Sequence, residues 1–168
     1  MTNWDGHWHG YGPWVGERRE LGKESHRRPG ASPDDEQTQA FLTSTLPPMM
    51  TGWALLRRRQ TVADRTWTAV SDAVDWLTKT YADRPPSFAP SSLYPTPEEQ
   101  LQSKVRDAEE HLPLGTDTVW AYYATNGAYV SYEVICCPSH FHPDIPCPLP
   151  PSGGKPRVAK SHTPAGRR

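Results

Sequence analysis

The chain has 168 residues, of which 35% are hydrophobic, with 19 prolines, 12 glycines and a net charge of −1. The low hydrophobic content and the abundant proline predict one compact domain flanked by segments that bury little apolar surface. A net charge near zero does not favour nucleic acid or membrane as partner of the whole protein. No apolar run reaches the roughly 18 residues that a spanning helix needs.

Residues 1–32 show neither helical nor strand periodicity. Four aromatic residues in this stretch are separated by glycines and histidines: Trp4, Trp8, Tyr11 and Trp14. A highly charged segment follows and ends at Pro29 and Gly30. We expect a flexible N-terminal arm. Alternatively, the arm docks on a partner or folds back on its own domain, because four aromatic rings are costly to leave in water.

Two predicted helices carry capping signals. Ser32 is a candidate N-cap, and Pro33 suits the first position of a short helix. Thr96, Pro97 and Glu99 form the capping-box pattern of another helix. The predicted buried face of that helix consists of Leu101, Val105, Ala108 and Leu112.

Between these two, one long amphipathic helix is predicted over residues 51–82. Apolar residues recur at intervals of three and four from Trp53 to Tyr81, apart from the polar Gln60. We favour packing of this helix on its own domain. A coiled-coil seam that joins two copies of the chain is the alternative.

A β-hairpin is predicted around Asn126-Gly127, since this dipeptide suits a two-residue type I′ turn. Such a turn pairs Tyr123 with Val130 and gives the hairpin one apolar face. That face would comprise Val119, Ala121, Tyr123, Val130, Tyr132 and Val134. A hairpin alone is marginally stable, so we expect the helices to cover it.

The predicted fold is therefore a small α+β domain, residues 33–148, in which two or three helices, one of them long, pack on a C-terminal β-hairpin. Residues 149–168 are expected to form a disordered tail, which is rich in proline and glycine and basic near its end.

All three cysteines lie within residues 136–147, together with two histidines. Four of these residues have the donor atoms that zinc prefers, and we predict them as a metal site: Cys137, His140, His142 and Cys147. Cys136 and Asp144 are possible substitutes, although Cys136 continues the core-facing alternation of the strand. The spacing matches no standard zinc module, because these usually pair ligands as C-x2-C or H-x3-H.

Other interpretations of the same segment remain open. One is a reactive or redox-active thiol, and another is a proline-stiffened segment that binds no metal. The H-x-H spacing also occurs at His7 and His9, so a folded-back arm could share an ion between these two and His140 and His142.

No common catalytic motif is present, which favours a role without catalysis. We expect a small cytoplasmic accessory protein that binds another macromolecule, most simply a protein, because the arm, the long helix and the proline-rich extension offer surface beyond a core. Cytoplasmic location is suggested by the lack of a signal peptide and by the odd number of cysteines. One alternative is nucleic-acid binding through Arg57, Arg58, Arg59 and the basic tail. The other is a metal- or thiol-dependent site at residues 136–147.

Overall fold

A four-stranded antiparallel sheet organises the structure, a computed structural model that describes residues 4–50, 52–87 and 95–152. The strands are β1 (His7–Gly16), β2 (Thr66–Trp67), β3 (Thr118–Tyr123) and β4 (Tyr129–Cys137), in the order β2-β1-β4-β3. The α-helices of the described residues are α1 (Glu36–Thr43), α2 (Trp53–Arg58), α3 (Val70–Asp83) and α4 (Pro97–His111). The α+β class agrees with the sequence prediction.

Strand β1 lies in the middle of the sheet, where the sequence predicted a flexible arm. It pairs with β4 from His7 opposite Cys137 to Gly16 opposite Tyr129. A bulge at Gly12 and Pro13 interrupts this register, and the positive φ of Gly12, 89°, accommodates it. Residues 7–16 of the predicted arm thus form a core strand, in line with the alternative in which the arm folds back on its own domain. The central proline and the glycines of this strand hid its periodicity.

One face of the sheet carries the larger core, against α3 and α4. Its buried members from the sheet are Trp8, Trp120, Val130, Tyr132, Val134 and Cys136. Those from α3 are Ala73, Val74, Leu77 and Tyr81, and those from α4 and the turn after it are Ala108 and Leu112. The start of α4 is confirmed, because Thr96 and Glu99 form the reciprocal hydrogen bonds of a capping box.

The prediction of a single long helix over residues 51–82 is wrong, because the chain forms two helices there, which pack on opposite faces of the sheet. Helix α2 ends where Arg59 takes a left-handed conformation, with φ at 51°. The chain then passes the sheet edge as β2 and enters α3. Leu56 packs in the smaller core and Leu77 in the larger one, so the predicted seam is divided between two interiors.

The hairpin exists, but its register is shifted by one residue from the predicted one. Tyr123 pairs with Tyr129, and the amide of Ala124 donates to the carbonyl of Ala128. The loop therefore contains three residues, with Gly127 at a positive φ of 80°. Since neighbouring strand residues face opposite ways, the additional loop residue turns Trp120 into the core.

The prediction that Val119, Ala121 and Tyr123 of β3 face the core is therefore wrong, and Trp120 and Tyr122 face it instead. The prediction for β4 is confirmed. Val130, Tyr132 and Val134 are fully buried, and so is Cys136. Their alternation does not depend on the partner register, because it is a property of the single strand.

The smaller core lies on the opposite face, under α2. Its buried members are Tyr11, Leu55, Leu56, Ile135 and Cys137. Arg58, from the predicted basic cluster, is buried here, with its guanidinium 4.4 Å from the centre of the Phe41 ring. It donates to the carbonyls of Leu46 and His26, so Arg57, Arg58 and Arg59 do not form one continuous surface patch.

The observed register predicts which residue of β3 matters for stability. Replacing Trp120 by Ala should lower the free energy of unfolding by about 3–5 kcal/mol, because it leaves a cavity among buried rings. Val119 is 37% exposed, so Val119→Ala should change the same quantity by no more than about 1 kcal/mol. Urea unfolding of both variants measures this, and a larger loss for Val119→Ala would support the two-residue loop instead.

Candidate metal centre

Four donor side chains converge at the end of the β1–β4 ladder, on the face of the smaller core. They are His7, His9, Cys137 and Cys147. His7 lies directly opposite Cys137 in the sheet, and His9 is two residues further along β1 on the same face. Cys147 comes from the extended segment after β4 and packs against the smaller core. Three separate parts of the chain thus build the cluster.

The distances between the donor atoms fit one tetrahedral ion. The two Nε2 atoms of His7 and His9 are 3.1 Å apart, and Sγ of Cys147 is 3.3 Å from the first and 3.5 Å from the second. All four donor atoms lie within 4.8 Å of one another. Around zinc, tetrahedral bond lengths place two nitrogens about 3.4 Å apart, nitrogen and sulfur about 3.6 Å apart, and two sulfurs about 3.8 Å apart.

Burial prepares the two histidines to act as ligands. It lowers the pKa of His9 to about 3, with a smaller contribution from the neighbouring His7, and it also lowers the pKa of His7. Both imidazoles are therefore neutral near pH 7, as metal binding requires. Burial raises the pKa of Cys137, and the adjacent Cys147 thiol raises it further, so deprotonation of Cys137 needs a nearby positive charge.

Thr66 on the edge strand β2 orients His9. The Nδ1 atom of His9 is 3.1 Å from the Thr66 hydroxyl oxygen, which donates its own hydrogen to the carbonyl of Val62. The hydroxyl therefore accepts from Nδ1–H, and the Nε2 lone pair of His9 faces the cluster. A hydrogen bond of this kind on the far ring nitrogen is typical of metal-binding histidines.

Two further contacts hold the backbone beside the cluster. The indole nitrogen of Trp4 donates to the carbonyl of Pro138, at 3.2 Å. The carboxylate of Asp117 accepts from the amide of Cys136, at 2.7 Å. These two hydrogen bonds hold the end of β4, where Cys137 lies, one from the residues before β1 and the other from the residue before β3.

The cluster contains Cys137 and Cys147 of the ligand set predicted from the sequence, but not His140 or His142. The exposed His140 makes an edge-to-face contact with Phe141, and the half-buried His142 packs on Trp53 with ring centres 4.3 Å apart. The two imidazoles of the cluster come from His7 and His9 instead. Cys136 points to the opposite face, as the alternation predicted, with its sulfur 3.9 Å from the carbonyl of Leu112.

The folded-back arm considered from the sequence does bring His7 and His9 to the cysteine-rich segment, though without the two later histidines. The H-x-H spacing was the available signal, because residues two apart share one face of a strand. This spacing places His7 and His9 on one face only if the first residues form a strand, and the sequence did not predict that strand. The pairing of His7 with Cys137 spans nearly the whole chain and has no local sequence pattern.

Comparisons with protein-family models, with curated proteins and with solved structures found no match. Among the described residues, no helix combines the length and the apolar character that crossing a membrane requires.

Proposed function

We propose that this protein binds one zinc ion through His7, His9, Cys137 and Cys147, and that the ion has a structural role. The observation that supports this is the convergence of four donor atoms within 4.8 Å. Thiolate and imidazole ligands suit zinc, whereas magnesium and calcium prefer oxygen. Four protein ligands complete a tetrahedron and leave no position for a substrate, which is characteristic of structural sites.

The proposed ion cross-links β1, β4 and the segment that carries Cys147. It closes a loop of residues 138–146, which contains three prolines and has only one backbone turn, from the Ile145 amide to the carbonyl of His142. The smaller core beneath this loop has few buried apolar side chains. A metal cross-link therefore adds stability where burial of apolar surface supplies little.

Metal content is the direct test. Full-length protein purified without chelator should contain one zinc per chain, measured by inductively coupled plasma mass spectrometry. His9→Ala and Cys147→Ala should each lose most of the zinc and melt at a lower temperature, because three ligands hold the ion more weakly. Adding a chelator to the wild type should lower its melting temperature to a similar extent.

The matched controls are His140→Ala and His142→Ala, which remove the histidines that the sequence alone favoured. Both should retain one zinc per chain, since neither ring belongs to the cluster. Loss of zinc from either of them, with full zinc in His9→Ala, would support the ligand set predicted from the sequence and contradict this proposal. Wild-type protein without bound zinc would contradict both.

Thr66 provides a finer test of the site. Thr66→Val keeps the shape but removes the hydrogen-bond acceptor of His9, so the zinc dissociation constant should rise about 10- to 100-fold. Competition with a chromophoric chelator measures this constant. Thr66→Ser retains the hydroxyl and should bind zinc like the wild type. Equal affinity in all three proteins would show that the Thr66 hydroxyl does not position His9.

We further propose that the metal-held loop presents Phe141 to a protein partner, in keeping with the role of an accessory protein. The Phe141 side chain is 83% exposed, far more than any other large hydrophobic side chain of the described residues. An apolar pocket on the partner would bury this ring. Nucleic acid is a weaker candidate, since the burial of Arg58 removes the middle residue of the predicted basic cluster from the surface. The basic tail beyond residue 152, the other part of that prediction, lies outside the described residues. A reducing compartment such as the cytoplasm would keep the thiols available for zinc.

The partner is defined as a protein that wild-type bait captures and that also binds the purified wild type directly. Phe141→Ala should bind this partner more weakly, while its zinc content and melting temperature stay those of the wild type. Val15→Ala is the matched control, because it truncates another exposed apolar side chain, 43% exposed, at the end of the β1–β4 ladder opposite to Cys137. Quantitative mass spectrometry of captured proteins, followed by titration with the purified partner, measures the effect. Equal affinity of Phe141→Ala and wild type for that partner would contradict this role of Phe141.

A further inference from the structure

Of the three cysteines, only Cys137 and Cys147 are placed to react with each other. Their Sγ atoms belong to the donor cluster and lie within 4.8 Å. Cys136 lies on the other face of β4, fully buried in the larger core. Because adjacent strand residues point in opposite directions, its sulfur is separated from Cys147 by the sheet itself.

The two thiols differ in their access to solvent. Cys137 lies in β4 and is 2% exposed, whereas Cys147 is half-buried in an irregular segment outside the sheet. A disulfide needs a sulfur separation of about 2.05 Å, so the two sulfurs must approach by less than about 3 Å. Movement of Cys147 can provide this approach and leave the β1–β4 ladder intact.

We propose that residues 137 and 147 are an oxidation site, at which a peroxide links Cys137 to Cys147 in a disulfide and releases the zinc ion. This inference rests on the proposed zinc site and adds to it a regulation by oxidants. The more accessible Cys147 is the residue oxidised first, and Cys137 then resolves its sulfenic acid.

The chemistry balances with hydrogen peroxide as the oxidant. The Cys147 thiolate attacks one peroxide oxygen, the O–O bond breaks, and the other oxygen leaves as water after taking up a proton, which gives a sulfenic acid. The Cys137 thiolate then attacks that sulfur, the S–S bond forms, and the hydroxyl leaves as a second water with another proton. The two sulfurs together lose two electrons, the peroxide gains them, and Zn²⁺ departs because its two thiolate ligands are gone.

In the oxidised protein the loop of residues 138–146 would stay closed, but its metal-mediated cross-link to β1 would be lost. The disulfide joins the same two residues that the ion joined, so residues 138–146 stay tethered at both ends. His7 and His9 lose their ion, and the cross-link between β1 and the other two segments disappears. A thiol reductant restores both thiols, so the change is reversible when zinc is present.

The test uses the full-length, zinc-loaded protein and one to five equivalents of hydrogen peroxide. Zinc release is followed with a chromophoric chelator, and the disulfide is mapped by mass spectrometry of peptides prepared without reductant. We expect one Cys137–Cys147 link for each zinc released, and recovery of both free thiols and bound zinc after reduction. Cys136→Ala should behave in the same way, and Cys136→Ser serves if the alanine variant does not fold.

The zinc proposal and this inference fail separately. Untreated protein without zinc overturns the proposed function. Protein that contains zinc but forms no Cys137–Cys147 link with peroxide overturns the inference and leaves the zinc site standing. A link between Cys136 and Cys137, or zinc release accompanied only by sulfinic or sulfonic acid, overturns it as well.

Discussion

The pairing of β1 with β4 is the interaction on which the other parts of the structure depend. It joins the beginning of the described chain to a strand more than a hundred residues later, and it places both strands in the centre of the sheet. Each strand then needs cover on both faces. One face receives α3 and α4, and the other receives α2 and the proline-rich segment. The same ladder brings His7 opposite Cys137, so the candidate metal centre is a direct product of its register.

The two faces of the sheet are unequal, and this difference explains why an ion at the candidate metal centre would add stability. The larger core contains rings from Trp8, Trp120 and Tyr132, packed against two helices of at least fourteen residues. The smaller core is covered by the six-residue α2 and by a segment without regular structure. Cross-linking by an ion or a disulfide adds most to stability in such a region, where hydrophobic burial is limited.

The candidate site was partly predictable. The sequence indicates Cys137 and Cys147 as candidate ligands because of their residue type and their closeness in the chain. His140 and His142 were equally close, yet one is exposed beside Phe141 and the other packs on Trp53. The histidines of the cluster come from a strand whose glycines and proline conceal its alternation. Donor chemistry narrows the candidates, but the direction of each side chain depends on strand pairing.

Local interactions explain what the sequence alone determined. The capping box of Thr96 and Glu99, and the alternation from Val130 to Cys136, involve residues close together in the chain, so their patterns are visible in it. Tertiary structure decided the rest. The helical periodicity from Trp53 to Tyr81 is divided between two faces because both cores need apolar residues. The hairpin register depends on one additional loop residue, and the central position of β1 depends on contacts with β4 that no local pattern encodes.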